Sequence, residues 1–153
     1  MAIYSFETIT ATQALAIASD DVLTFAASTG TASAATVIYA PAAGSTPATI
    51  GVTLGGRSVT FGTHLSDVST TGHLTFQDGS IFYIGSDQRD VNLLGSADTH
   101  TGAMFGGDGN DVLSFGPNGG LLQGNQGNDN LQAFGSATIY GGQGSDTISG
   151  GGH

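Results

Sequence analysis

The sequence contains no cysteine and no lysine, and only 9% of its 153 residues are charged. Lack of cysteine excludes a disulfide framework, and a bound cation is the alternative staple for a small exported fold. Arg57 and Arg89 face eleven aspartates and Glu7, which leaves a formal charge of −10. A chain so acidic repels phosphate backbones and anionic lipid surfaces, so neither nucleic acid nor such a membrane surface is an expected partner. No run approaches the roughly eighteen apolar residues of a membrane span. Met1-Ala2-Ile3-Tyr4-Ser5 has no basic region followed by a sustained apolar stretch, so no Sec-type leader is visible. With so few charges, solubility rests on Ser, Thr, Asn, Gln and exposed glycine backbone.

Catalytic signatures are also missing. There is no H-E-x-x-H, no G-x-S-x-G and no cysteine nucleophile. His64, His73, His100 and His153 fall in no ligand spacing and read as surface or turn residues. Asp20-Asp21 reads as a helix-end or turn pair, and Asp67 and Asp78 as turn residues. Phe61, Phe76, Phe82 and Tyr83 alternate along apolar runs and read as core rather than a carbohydrate-stacking platform. Arg57, beside Gly55-Gly56, reads as solvent-facing. The expectation is a protein that is not an enzyme.

What is present is glycine in a repeating frame. The string Gly106-Gly107-Asp108-Gly109-Asn110-Asp111-Val112-Leu113-Ser114 recurs as Gly141-Gly142-Gln143-Gly144-Ser145-Asp146-Thr147-Ile148-Ser149. A near copy, Gly124-Asn125-Gln126-Gly127-Asn128-Asp129-Asn130-Leu131-Gln132, lies between them. Each fits G-G-x-G-x-D-x-U-x with U apolar, the calcium-binding nonapeptide pattern. Glycines let the backbone turn its carbonyls inward, the aspartate adds a carboxylate, and x-U-x makes a short strand with its apolar residue in a core. A dinucleotide or phosphate loop does not fit: no helix-forming run or Walker lysine follows Gly106-Gly107-Asp108-Gly109, and its carboxylates would repel phosphate.

The copies start at 106, 124 and 141, with degenerate blocks between them: Gly120 and Thr138 stand where carboxylates would be. If two nonapeptides make one turn of a flattened solenoid, the three intact loops stack on one edge about 4.8 Å apart. Calcium takes six to eight oxygens, more than one loop offers, so each ion is expected between successive loops. One interval would use Asp111 with Asp129 and the other Asp129 with Asp146, while the degenerate edge stays largely free of metal. The candidate metal residues are Gly106, Asp108, Gly109, Asp111, Gly124, Gln126, Gly127, Asp129, Gly141, Gln143, Gly144 and Asp146.

On these motifs the chain resembles the RTX, or haemolysin-type calcium-binding, family of bacterial secreted proteins. The resemblance is firm over 106–152. It extends loosely back to Gly85, where Gly85-Ser86-Asp87-Gln88-Arg89-Asp90 and Leu94-Gly95-Ser96-Ala97-Asp98 look like decayed lead-in repeats. It implies a parallel β-roll, Ca2+ as the bound ion, export in an unfolded state through a type I channel, and folding on meeting extracellular calcium. Family members include proteases, lipases, toxins, adhesins and surface-layer proteins, so the repeat does not name a task.

Residues 1–84 are different material, rich in Ala, Thr and short apolar alternations. Thr10-Ala11-Thr12-Gln13 has capping-box form, and Ala14, Leu15, Ile17 and Ala18 suggest a short helix ending near Asp20-Asp21. Val22–Phe25 and Thr36–Tyr39 read as strands, and Pro41–Pro47 as a loop. Ile50–Leu54 and Arg57–Phe61 flank Gly55-Gly56, and Leu74–Gln77 and Ser80–Ile84 flank Asp78-Gly79, so two hairpins are expected. The expected fold class is all-β: a β-rich capping or assembly domain over 1–84, then a β-roll over 85–153.

The expected function is an extracellular or cell-surface calcium-binding structural or adhesive protein, such as a surface-layer, matrix or filament subunit that forms a homo-oligomer or filament. The alternatives are a calcium-dependent folding and export module of a larger secreted enzyme or toxin, and a small hydrolase with an unconventional site. Met1 and the missing catalytic motifs favour the first over the hydrolase. Gly150-Gly151-Gly152 opens a repeat in register just before His153, which keeps the module alive.

Overall fold

In the computed structural model, which describes residues 1–150, two kinds of β-structure follow one another along the chain. Strand β1 (Ile3–Ser5) leads into helix α1 (Ala11–Leu15), whose start is fixed by the expected capping box between Thr10 and Gln13. The helix stops at Leu15, earlier than the apolar pattern suggested. The Asp21 carboxylate accepts from Ala18 N at 3.0 Å and from Ala2 N at 2.6 Å, which turns the chain into strand β2 (Val22–Phe25) beside β1. Strands β3 (Thr36–Ala40), β4 (Thr49–Leu54) and β5 (Arg57–Gly62) form an antiparallel sheet. Gly55 and Gly56 close its second hairpin with φ of 58° and 80°, the left-handed pair that a two-residue turn requires.

Helix α2 (His64–Thr70) occupies a stretch that reads as polar turn, and it forms because Leu65 and Val68, one helical turn apart, are fully buried. Strand β6 (Leu74–Phe76) then joins β1 and β2 in a parallel sheet of order β1-β2-β6. Asp78-Gly79 does not make the expected hairpin. Asp78 Oδ1 accepts from Ser80 N and Ser80 Oγ, at 2.9 and 2.7 Å, forming a corner that sends strand β7 (Ile81–Ile84) into a different sheet. Two-residue loop chemistry alone cannot distinguish a hairpin from a change of sheet.

The remaining strands are β8 (Val91–Leu93), β9 (Gly102–Asp108), β10 (Val112–Phe115), β11 (Gly120–Gln126), β12 (Asn130–Ala133), β13 (Thr138–Gln143) and β14 (Thr147–Ser149). They alternate between two parallel sheets, one of order β13-β11-β9-β7 and one of order β14-β12-β10-β8. Register follows the repeat spacing: Leu113 pairs with Leu131 and Leu131 with Ile148, so each turn takes 18 or 17 residues. The fold is a parallel β-roll in its C-terminal half.

Apolar residues at the U positions of the inner rungs, joined by Phe115, fill the space between the sheets, while Ile148 on the last strand is half exposed. Met104, Leu113, Phe115, Leu122 and Leu131 are essentially fully buried there, with Tyr83. A second cluster fills the N-terminal part and runs on into the first roll strands through a chain of rings. Phe6 stacks on Phe25 at 4.9 Å, Phe25 on Phe76 at 4.4 Å, and Phe82 meets Phe25, Phe76 and Phe105 edge-on. Each such pair adds about 0.5–1.5 kcal/mol beyond the area it buries. Phe61, Phe76, Phe82 and Tyr83 are all core. Arg57 is exposed, but its guanidinium donates to Ile9 O at 2.6 Å and lies over the Phe6 ring. Among the described residues, no helix is long and apolar enough to cross a membrane.

Candidate metal centre

One edge of the roll is built from three loops that lead from β9 to β10, from β11 to β12 and from β13 to β14. The motif positions superpose rung by rung. At the first position, a Cβ on Gly106 would collide with Asp111 Oδ2 and Gly124 O, and one on Gly124 with Asp129 Oδ2 and Gly141 O. A Cβ on Gly141 would strike Asp146 Oδ2. Glycine is therefore needed because each aspartate folds back over the opening of its own loop. At the second position Gly107 and Gly142 have φ of 99° and 110°, and Asn125 takes the same conformation at 81°. Asparagine is among the few side-chain-bearing residues that tolerate it, which explains why the middle copy departs from the motif there.

Further along the loops, Asp108, Gln126 and Gln143 lie in register, and Gly109 N and Gly127 N donate to Gln126 O and Gln143 O at 2.9 and 2.8 Å. Gly109, Gly127 and Gly144 share φ of 120° to 133°. The fifth positions make a side-chain ladder. Asn110 Oδ1 accepts from Asn128 N, and Asn128 Oδ1 from Ser145 N, both at 2.7 Å.

The aspartates form a second ladder. Asp111 N donates to Asp129 Oδ1 at 2.8 Å, and Asp129 N to Asp146 Oδ1 at 3.0 Å. Their other oxygens are different: Asp111 Oδ2 and Asp129 Oδ2 are buried and accept no hydrogen bond. Asp111 is 0% exposed and Asp129 2%. Burial, reinforced by the charges of Asp129 and Asp90, pushes the Asp111 carboxyl up to about 7 against the opposing hydrogen bond from Asp90 N. Burial also raises Asp129, with Asp146 adding to it. A buried, unpaired carboxylate oxygen is costly unless a cation meets it.

Among the described residues, no three His, Asp or Glu side chains gather into a ready-made metal cluster. A cation at this edge must therefore draw on aspartates of successive rungs together with main-chain carbonyls, a set of hard oxygens that suits Ca2+ rather than Zn2+. The residues fit the ion. Comparison with family models finds four copies of the RTX calcium-binding nonapeptide repeat, over residues 104–117 and 133–153. These are RTX calcium-binding repeats. Their ion is Ca2+, and the repeat family is calcium-binding rather than catalytic. The middle RTX copy at 124–132 lies outside the matched ranges, yet its loop stacks in register between the other two. No curated protein matches the chain, and no solved structure does.

All twelve candidate residues thus lie along one RTX edge. Asp90 was absent from that set, although Gly85-Ser86-Asp87-Gln88-Arg89-Asp90 does carry the frame of a lead-in repeat. Val91 pairs with Val112, which puts Asp90 one rung before Asp111, and Asp90 N donates to Asp111 Oδ1 at 2.8 Å. Asn110 and Asn128 were missed as well, because the motif leaves the fifth position free. The opposite edge is built differently: a Cβ on Gly116, Gly119 or Gly135 would strike the carbonyl of Asp98, Ser136 or Pro117. Its turns are backbone packed on backbone. Asp98, the aspartate of the second lead-in segment, lies at that edge and pairs with His100. His64 faces Asp67 in the same way at 2.8 Å, on the surface of α2. His153, and the repeat expected to open at Gly150-Gly151-Gly152, lie wholly or partly outside the described residues.

Proposed function

We propose that this protein is an extracellular calcium-binding structural or adhesive subunit, of a surface layer, matrix or filament, whose roll folds and stiffens on binding Ca2+. The observation that carries the reading is the ladder of Asp111, Asp129 and Asp146 with the unpartnered Oδ2 atoms of Asp111 and Asp129. Asp111 with Asp129 would hold one ion and Asp129 with Asp146 a second, with carbonyls of the glycine turns completing each set. Bound Ca2+ supplies positive charge and oxygen coordination where the stacked carboxylates otherwise repel. Asp108, Gln126 and Gln143 hold the loop rims in register, and the motif glycines keep the space beneath each aspartate open.

Residues 1–84 are proposed as the domain that covers the β7 side of the first rung, which would otherwise present an open edge. Assembly is supported by the roll's second sheet. Among the described residues β8 and β14 are its two outer strands, with Val91, Leu93 and Ile148 each at least half exposed. Parallel edges at opposite ends of one sheet suit a head-to-tail contact between copies, which does not close and so grows a filament.

Light scattering with and without calcium tests this reading. Growth triggered by millimolar calcium and reversed by chelator is expected, whereas a monodisperse monomer would remove the filament. The second reading, a calcium-dependent folding and export module of a larger secreted protein, is supported by the glycine-rich acidic roll itself, which is suited to disorder without a cation.

A further inference from the structure

The rung that precedes Asp111 has the shape of the later ones but a different chemistry. Asp90 Oδ1 accepts from the Tyr83 hydroxyl at 3.1 Å, and Asp90 Oδ2 accepts from Ser86 N and Ser86 Oγ at 2.7 and 3.0 Å. Both oxygens are met by protein donors, whereas Asp111 Oδ2 and Asp129 Oδ2 are met by none. Side chains of the N-terminal part also reach this rung's backbone. Ser69 Oγ accepts from Ile84 N at 2.7 Å, and the single Tyr39 hydroxyl proton lies within reach of Gly85 O and Phe105 O at 3.3 and 3.4 Å. Main-chain bonds tie the same segment to the next rung, Gly85 N to Phe105 O at 2.7 Å and Asp108 N to Ser86 O at 3.1 Å. Phe82 packs on Phe25, Phe76 and Phe105, so the rung shares the N-terminal core.

We infer that the Ile84–Asp90 rung is a metal-independent template, in which the hydroxyls of Ser69, Tyr39, Tyr83 and Ser86 do the work that Ca2+ does for the later rungs. The inference rests on the calcium reading of Asp111, Asp129 and Asp146 and adds a direction to it. Tyr83 and Ser86 fix the Asp90 carboxylate, and with it the loop that presents Asp90 N. That N–H holds Asp111 Oδ1, which leaves Asp111 Oδ2 as the first oxygen free for the ion. Tyr39 and Tyr83 are thus positioning residues for the first ion interval. The roll is templated at the N-terminal part and extends one ion at a time toward β14.

Hydrogen exchange on the full chain, resolved by residue and run in chelator and then in calcium, tests this. In chelator, Ile84, Gly85, Ser86 and Asp108 amides are expected to exchange at least about tenfold more slowly than those of Asp129, Asn130 and Thr147, and calcium should bring the second group down. Tyr39→Phe combined with Tyr83→Phe should erase the first group's protection in chelator. It should also raise the calcium concentration needed to protect Asp129 by about threefold or more. Amides of the β4–β5 hairpin report whether the variant has kept its N-terminal fold, and Ser69→Ala gives a milder version of the same loss.

If Ile84–Ser86 exchange in chelator as fast as Asp129, the template is overturned and the calcium reading stands. If Asp129 and Thr147 are as protected in chelator as in calcium, both fall together. A double variant with undiminished first-rung protection would also overturn the role given to the two tyrosines.

Discussion

At the scale of single residues, the RTX edge is decided by what has no room to be there. Gly124→Ala places a methyl group against Asp129 Oδ2 and Gly141 O. Calorimetric titration is expected to show loss of calcium binding at both intervals that use Asp129. Asp129→Ala should likewise damage both, whereas Asp111→Ala or Asp146→Ala should mainly damage one. Thr138, on the opposite edge, should be replaceable with little change. Equal losses from the three aspartate variants would mean that the ions do not lie between successive loops. Asn125 offers a separate test, since its φ of 81° is one that side chains resist. Asn125→Gly should keep or raise the melting temperature at saturating calcium, and Asn125→Ala should lose about 1 kcal/mol.

At the scale of elements, Glu7 fastens the end of β1 to the segment after β2. Its carboxylate accepts from Ser5 Oγ, Thr29 Oγ1 and Ala26 N. Burial works against the charge, but these hydrogen bonds together outweigh it and hold Glu7 at about 2, below its ordinary value. Because the folded value is depressed, this stability is present above the unfolded pKa near 4.5 and is lost as pH falls toward 2. The denaturation midpoints of wild type and Glu7→Gln should therefore differ at about pH 5, by roughly 1–2 kcal/mol after solvent screening, and converge only as pH falls to about 2 and below. A gap that does not change with pH would contradict the assignment.

The elements also divide by how much local chemistry fixes them. The motif loops, the α1 capping box and the Gly55-Gly56 hairpin could be read from sequence because each requires particular residues at particular spacings. Helix α2 could not, because His64–Thr70 is short and polar and is held by Leu65 and Val68 reaching a core assembled from distant strands. The Asp78-Gly79 corner misled for the opposite reason: its turn chemistry is sound, but the partner of β7 is β9, some twenty residues further on. The Asp90 rung was half legible, since Gly85-Ser86-Asp87 carries the frame while its hydrogen-bond partners, Tyr39 and Ser69, come from elsewhere in the fold.

At the scale of the whole molecule, seven aspartates after residue 84 face Arg89 alone. Without a cation their repulsion adds to the large conformational entropy of a glycine-rich chain. At a calcium concentration about a hundred times Kd, each interval contributes roughly 2.7 kcal/mol, so two intervals are decisive against a domain stability of about 5–15 kcal/mol. The account therefore expects a molecule in two parts: an aromatic-cored N-terminal region that is folded throughout together with the Ile84–Asp90 rung, and later RTX rungs that are ordered only with their ions. Far-ultraviolet circular dichroism in chelator, followed by millimolar calcium, tests this most directly. A partial strand signal that rises sharply on adding calcium and reverses with chelator is the expected result, and identical spectra in the two conditions would contradict the account.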